Sequence, residues 1–338
     1  MTDQLIDDAD SGRRKSARQA LAEATAATGV RQIDYAPEKL NPTPSRRYYF
    51  YMMAPSIILL AGISIYPFIW LIYMSLHTVG EVNQPDVWND FKNFTRFATD
   101  EKFQNGWLLL LKYSAMCMVL EVGLGVLLAV ILNRSKIEKV LVTIILMPMM
   151  MAPIIAGLVW LFLYNGAFGW YHWLLQSIGI LGPTSVLGDS DIAMYGLVAV
   201  DVWQWTPLIT LITLAGLKRV PQDQLEANMV DGAGPLRNFF TVALPNIYPF
   251  LLIAVLLRFM DNFRFIDAIL ILTGGGPADA TNMLPVYLFD VSFQYFKLGR
   301  GAAVALTLLL VTIVLGMVLV KLFEDPRRKI KVHGGENG

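Results

Sequence analysis

The chain has 338 residues, of which 55% are hydrophobic and only 16% charged, with no formal net charge and a mean hydropathy of +0.50. A soluble globular domain carries about a quarter charged residues, so this composition describes a membrane protein, and the lack of a basic excess removes nucleic acid as an expected partner. The single cysteine, Cys117, excludes an internal disulfide framework and a cysteine metal cage.

Residues 1–47 are rich in Ala, Asp, Arg and Pro and cannot bury enough apolar area to fold alone, so they are expected to form a disordered cytoplasmic tail with at most a short Ala-rich helix near 17–27. The first hydrophobic segment begins near Tyr48, too late for a cleavable secretory signal. Six apolar runs follow, at about 48–76, 107–132, 140–164, 192–217, 247–273 and 301–323, each near or above the roughly 20 residues that span a hydrocarbon core. Backbone groups cannot stay unpaired in lipid, and the strands of a barrel would show short alternating segments, so the runs predict helices. Pro55, Pro67, Pro148, Pro153 and Pro207 are expected to kink the runs that hold them.

An even number of spans puts both termini on one side. Lys and Arg concentrate around Arg46 and Arg47, the Arg134 to Lys139 turn, Lys218, Arg219, Arg237 and the tail after Lys321, whereas the loop 165–191 has no Lys or Arg. The positive-inside rule therefore predicts an N-in, C-in topology with the 218–245 loop in the cytoplasm. Trp88, Trp107, Trp170 and Trp173 then fall on the outer side.

Charges inside hydrocarbon cost several kcal/mol and need a partner or a wet cavity. Glu121 lies midway along the second span, and Asp201 lies in the fourth, followed by Trp203-Gln204-Trp205-Thr206. In the fifth, Arg258, Asp261, Arg264 and Asp267 step by three with alternating sign, so successive charges can pair on a helix. Such a stripe turns by roughly 180° over its length, so only part of it can face a pore. Two readings stay open: internal ion pairs near the helix end, or a hydrophilic cavity lined by Asp201, Gln204, Asp261 and Asn262. Arg258 and Arg264 also leave open an anionic solute.

Other motifs carry less. His77, His172 and His333 have no ligand spacing, so no metal site is expected. Thr-Gly-Gly-Gly-Pro at 273–277 lacks the Lys-Ser/Thr of a phosphate loop, and G-x-x-x-x-G-K-[ST] occurs nowhere in the chain, which leaves it without a nucleotide-hydrolysing site of its own. The methionines around Pro148 suit adaptable packing at a kink.

The most informative stretch is the polar island 225–245 between the fourth and fifth runs. Pro221 suits the first turn of a helix, Asp223 and Glu226 are acids in its early turns, and Leu225, Met229 and Val230 form an apolar stripe. Gly232 and Gly234-Pro235 end that helix, and a second short helix is expected from Pro235 to Val242 before Leu244-Pro245 leads into the membrane.

These residues resemble the cytoplasmic signature of the permease subunits of binding-protein-dependent ABC importers, type I fold, carbohydrate-uptake (maltose and glycerol-phosphate-like) group. The family pattern is E-A-A, three residues, G, nine residues, I-x-L-P. Here it reads Glu226-Ala227-Asn228, three residues including Asp231, Gly232, nine residues, Val242-Ala243-Leu244-Pro245. Asn228 and Val242 are its departures, and the likeness extends over about 48–325.

The resemblance implies an all-α integral membrane protein of six transmembrane helices in the bacterial inner membrane, a permease domain over 48–325 with a coupling loop at 218–245, and a basic cytoplasmic tail at 326–338. It implies that Glu226, Ala227, Asn228, Asp231, Gly232, Leu244 and Pro245 couple the permease to an ATPase. It further implies a second homologous permease, two cytoplasmic ABC ATPases that hold ATP and Mg, and an external solute-binding protein. This chain would then be a non-enzymatic subunit without a cofactor of its own. By analogy with the maltose member, substrate-pathway positions fall on Asp201, Gln204, Trp205 and Leu208 and on Asp261, Asn262 and Phe265. The rivals are a type I permease for a non-sugar solute, an ATP-independent secondary transporter, and a membrane transferase with Asp201 or Asp261 as base; the last has no nucleophile or metal constellation to support it.

Overall fold

The computed structural model describes residues 46–79, 86–182 and 184–323. The expected tail helix near 17–27 and the basic tail 326–338 lie outside the described residues, as does the tail 1–47 apart from its last two positions. The chain divides into two units, Met1–Ser64 and Ile65–Gly338. Of the first, the described part is residues 46–64, a helical stretch that is apolar all round, as suits a membrane span.

The helix that begins there, α1 (Arg46–Ser75), is followed in the second unit by a two-stranded ribbon, β1 (His77–Thr78) against β2 (Val87–Trp88), antiparallel with His77 opposite Trp88. Next come α2 (Lys92–Ala98) and α3 (Glu101–Asn133), then α4 (Glu138–Leu146), a 3-10 turn at Pro148–Met150, and α5 (Pro153–Leu163). After α6 (Trp170–Ser177) and a 3-10 turn, α7 (Ala193–Leu217) crosses back to the loop helices α8 (Gln222–Val230) and α9 (Pro235–Asn238). A π turn at Phe239–Ala243 joins α9 to α10 (Leu244–Asn262), and α11 (Asp267–Leu272), α12 (Leu284–Phe289) and α13 (Leu298–Phe323) complete the chain.

Among the described residues five continuous helical stretches are long and apolar enough to cross a membrane: Arg47–Ser75, Glu101–Asn133, Ala193–Leu217, Pro235–Asn262 and Leu298–Lys321. The span expected at 140–164, kinked at its prolines, is instead fully interrupted: two helices around an extended hinge. Pro148 and Pro153 have no N–H to continue a helical ladder, and the residues before α5, Met151 and Ala152, are extended (ψ 140° and 137°). The expected span 247–273 is likewise interrupted, at 263–266. Phe263 and Phe265 are both buried while Arg264 between them is exposed. Residues two apart point to opposite sides of a helix, so burying both rings on one core requires the chain to leave helical geometry there. The second loop helix also differs: it runs as α9 through the π turn into α10 rather than standing apart. Leu244 N–H reaches back to Phe239, immediately before Pro245, which has no N–H to offer.

The bundle is organised on α3 and α7, whose contact is the most extensive between any two elements. They approach closely because Gly125 faces Ile209: a Cβ at position 125 would lie 2.7 Å from Ile209 Cγ2. Small residues at helix crossings replace, by van der Waals contact, the hydrophobic drive that lipid removes. Two apolar clusters result. One gathers Leu110, Tyr113, Cys117, Val200, Val202, Phe263 and Met283; the other gathers Ala129, Leu132, Leu214, Leu217, Ala243, Ile247 and Leu251. On each of α3, α7 and α10 the stretch between these clusters carries charged or polar side chains.

Candidate functional site

That intermediate layer holds Glu121 from α3, Asp201 and Trp205 from α7, and Arg258 and Asp261 from α10. Arg258 is fully buried, as are Glu121 and Asp201. Its Nε donates to Glu121 Oε2 (2.7 Å) and its Nη2 to Glu121 Oε1 (2.6 Å), a two-point clamp between residues 137 apart in sequence. Nη2 also donates to Asp201 Oδ2 (2.7 Å) and Nη1 to Asp261 Oδ2 (2.9 Å). The guanidinium carbon lies over the Trp205 ring, 5.0 Å from its centre. One cation thus ties three helices together, and each helix supplies a group that would be costly alone in an apolar interior.

The charge ladder expected on the fifth span exists in part. Arg258 pairs with Asp261, and Asp261 is 3.4 Å from Arg264, an outward-facing residue just past the end of α10. Asp267 opens α11 beyond the helix break and so does not continue a regular stripe.

Of the seven expected pathway residues, Asp201, Trp205 and Asp261 therefore meet around Arg258. Gln204 is turned toward the break in the third apolar run, its amide nitrogen donating to Met151 O (3.0 Å), a carbonyl freed where the helix is interrupted. Asn262 is fully buried with neither amide atom hydrogen-bonded, and Asp201 Oδ1, Gln204 Oε1 and Trp205 Nε1 are also buried without a hydrogen bond. Phe265 stacks on Tyr113 (6.5 Å, 9° between planes), and Leu208 is half-buried one turn beyond Gln204. The central pair, Glu121 and Arg258, was absent from the expected site. Each was visible in sequence as an intramembrane charge, but nothing local linked them.

Cys117, Glu121 and Asp201 also bring their ligand-type atoms within 4.8 Å of one another. Both Glu121 oxygens and Asp201 Oδ2 already accept from Arg258, so the guanidinium occupies the place a metal cation would take.

At one end of the bundle, next to the second apolar cluster, α8 stands with Glu226, Ala227 and Asp231 exposed. Leu225 packs toward that cluster, but Met229, Val230, Leu236 and Phe240 face outward, Val230 with 87% of its surface accessible. Gly232, at φ +81°, ends the helix in a left-handed conformation that favours glycine. Asn228, where the family pattern has Ala, donates from Nδ2 to Asn238 Oδ1 (2.9 Å) and to Thr241 Oγ1 (2.9 Å). Asn238 Nδ2 in turn donates to Leu225 O (3.1 Å). This staple fixes α8 to the segment that continues into α10, with Leu244 half-buried and Pro245 exposed at the entry. Asn228→Ala is expected to loosen only this loop. Losing one part-buried and one exposed hydrogen bond costs about 1–2 kcal/mol, so amide exchange across 222–241 should quicken by about tenfold while the global melting temperature stays put. Unchanged exchange there would show that the staple holds nothing.

At the opposite end, Asp100 accepts from Arg300 Nη2 and from Tyr287 OH (3.0 Å), joining the starts of α3 and α13 through α12. Lys102 pairs with Asp279 (2.9 Å), and the Asn282 amide together with that lysine holds the Asp279 carboxyl below its ordinary range. A groove lined by Asp100, Lys102, Tyr287, Tyr295, Lys297 and Arg300 opens there. Sequence reasoning named none of these residues, since their partners are brought together only by helix packing.

Apolar crossing helices around a layer of buried ion pairs, with a loop helix uncovered at one end, are those of a polytopic membrane protein. The chain belongs to the family of binding-protein-dependent transport system inner membrane components, whose model matches residues 121–329, and hence to the ABC importer permeases. It is 33% identical over 275 residues to the trehalose/maltose transport system permease protein MalF of Thermococcus litoralis, covering 81% of this chain and 92% of that protein. It is 30% identical over 281 residues to the trehalose transport system permease protein SugA of Mycobacterium tuberculosis, covering 82% and 89%. With the sn-glycerol-3-phosphate transport system permease protein UgpA of Agrobacterium fabrum it shares 31% identity over 277 residues, covering 80% and 93%. Its fold matches a chain of a bacterial ABC transporter for the acidic polysaccharide alginate with a TM-score of 0.72 at 19% identity, over 82% of this chain and 95% of that one.

Proposed function

We propose that this protein is one of two permease subunits of an ATP-driven importer that takes up a sugar, oligosaccharide, polyol or sugar derivative delivered by an external solute-binding protein. The permease class follows from the family. The carbohydrate substrate is supported by the relatives, two of which are named for trehalose or maltose transport. In this reading both termini and the 218–245 loop are cytoplasmic, and α8 is the element that docks on an ATPase subunit. ATP and Mg bind on that partner, and this chain converts the partner's closure into movement of the helices that carry Asp201 and Asp261.

The observation that carries the coupling role is the uncovered face of α8 and its neighbours. Glu226 stands beside Met229, Val230, Leu236 and Phe240, an apolar patch with a charge at its edge that nothing in this chain covers among the described residues. A surface of this kind suits a protein interface, with apolar contact at its centre and a polar rim that sets register. The staple at Asn228 and the helical continuity from α9 into α10 would carry a push on α8 into the span that holds Arg258.

Expression of this chain with the genes around it, followed by affinity purification in detergent, tests the assignment. The expected product is a complex with a second permease and two ATPase subunits whose ATP hydrolysis rises when loaded binding protein is added. Full uptake activity from this chain alone in proteoliposomes would overturn the reading in favour of a secondary transporter.

A further inference from the structure

We propose that Glu121 sets the charge selectivity of the pathway: by occupying the Arg258 guanidinium it makes this subunit accept uncharged polyhydroxyl solutes and refuse phosphorylated or carboxylated ones. The proposal rests on the carbohydrate reading above and narrows it. An arginine recognises an anion by offering one of its two forked edges, each a pair of parallel N–H groups. Here the Nε/Nη2 edge is filled by both oxygens of Glu121, and the Nη1/Nη2 edge is shared by Asp261 and Asp201. The guanidinium carbon also sits over the Trp205 ring, 5.0 Å from its centre. At the Nε/Nη2 edge a phosphate or carboxylate on the solute would have to displace Glu121, a fully buried carboxylate whose ion pair among the described residues is with Arg258.

Charge points the same way. Three carboxylates surround one buried guanidinium, with Arg264 at 3.4 Å from Asp261 as a further, outward-facing cation. The local surplus is negative, and in an interior of low dielectric it repels an anion. Of the five partnerless polar atoms on Asp201, Gln204, Trp205 and Asn262, three are acceptors. Asp201 Oδ1, Gln204 Oε1 and Asn262 Oδ1 accept, whereas Asn262 Nδ2 and Trp205 Nε1 donate. Sugar hydroxyls, which both give and take hydrogen bonds, complement such a set, and an anion, which only accepts, does not. The arginine that in sequence left an anionic solute open is therefore, in the folded protein, what organises a wall of acids.

The test uses the assembled transporter in lipid nanodiscs without its binding protein, so that the selectivity of that partner is not read. Saturation-transfer NMR is recorded with trehalose, glucose 6-phosphate and glucuronate as probes at millimolar concentration. Trehalose is expected to bind, and each anion to bind at least tenfold more weakly. In Glu121→Gln, which removes the charge from the Nε/Nη2 edge, the affinity for the anions relative to trehalose should rise at least tenfold. Should that variant fail to assemble, Asp261→Asn, at the more exposed end of the cluster, is expected to give the same direction of change. Wild-type protein that binds the anions as tightly as trehalose would overturn the charge selectivity while leaving the carbohydrate pathway in place. Absence of binding by all three probes would overturn both. A neutral-to-anion ratio that stays constant in the variants would remove Glu121 and its fellow carboxylates from any selective role.

Discussion

Glu226→Lys is expected to abolish ATP-driven uptake, by about 100-fold or more, while leaving the permease folded. The side chain is exposed at the early part of α8, so reversing its charge touches no packed contact in this chain, and surface changes of that kind move stability by about 0.5 kcal/mol or less. In the docked state the effect is different. Truncating one member of a desolvated interfacial charge pair costs about 2–5 kcal/mol, and a reversal adds repulsion, so a 100-fold loss, equivalent to about 2.7 kcal/mol, is a conservative figure. Uptake of labelled solute into proteoliposomes measures it, with co-purification of the ATPase as a second readout and binding-protein association as a control that should not change. Glu226→Gln should give a milder loss. Wild-type uptake by the lysine variant would remove α8 from the coupling role.

Arg258→Met should be the most damaging single substitution for stability. It leaves Glu121 and Asp201 as buried carboxylates with no counter-charge, and breaking a buried ion pair by removing one partner costs about 3–5 kcal/mol. The expected outcome is a strong fall in the yield and melting temperature of the purified complex. Replacing the three fully buried members, as Arg258→Met with Glu121→Gln and Asp201→Asn, should recover much of the loss, because neutral groups of similar shape no longer demand a cation. If the single variant melts like wild type, the charge layer is not what joins α3, α7 and α10; if the triple variant is no better than the single one, the cost lies in packing rather than charge.

These two residues mark where sequence reasoning reaches and where it stops. The polar loop at 218–245 was legible because its punctuation is local. Pro221, Gly232 and Gly234-Pro235 impose their backbone restrictions wherever they occur, and α8 ends at Val230, just before the Gly232 turn. The fourth run, expected at 192–217, forms α7 at Ala193–Leu217 for a similar reason, since apolarity over some 20 residues decides a span without reference to its neighbours. The broken third and fifth runs were not legible as breaks. Pro148 and Pro153 permit either a kink or a full interruption, and which of these occurs depends on whether a neighbour can satisfy the freed carbonyl, as Gln204 does for Met151. The interruption after Asn262 depends on a core able to take both Phe263 and Phe265, a property of the facing helices that no periodicity in 247–273 encodes.

The sequence by itself determined the membrane class, the apolar runs, the polar loop and the presence of charges that hydrocarbon would penalise. It did so because hydropathy, proline and glycine act through the local backbone and the solvent. Only the tertiary structure decided that Glu121 and Arg258, 137 residues apart, hold each other, and that Asp201 and Asp261 complete the set. Pairing is a property of distance in space, and the distance between α3 and α10 is set by close contacts such as Gly125 against Ile209 and the ring of Phe250 against Gly216. Those contacts depend on the shapes of facing helices rather than on the order of residues within any one of them.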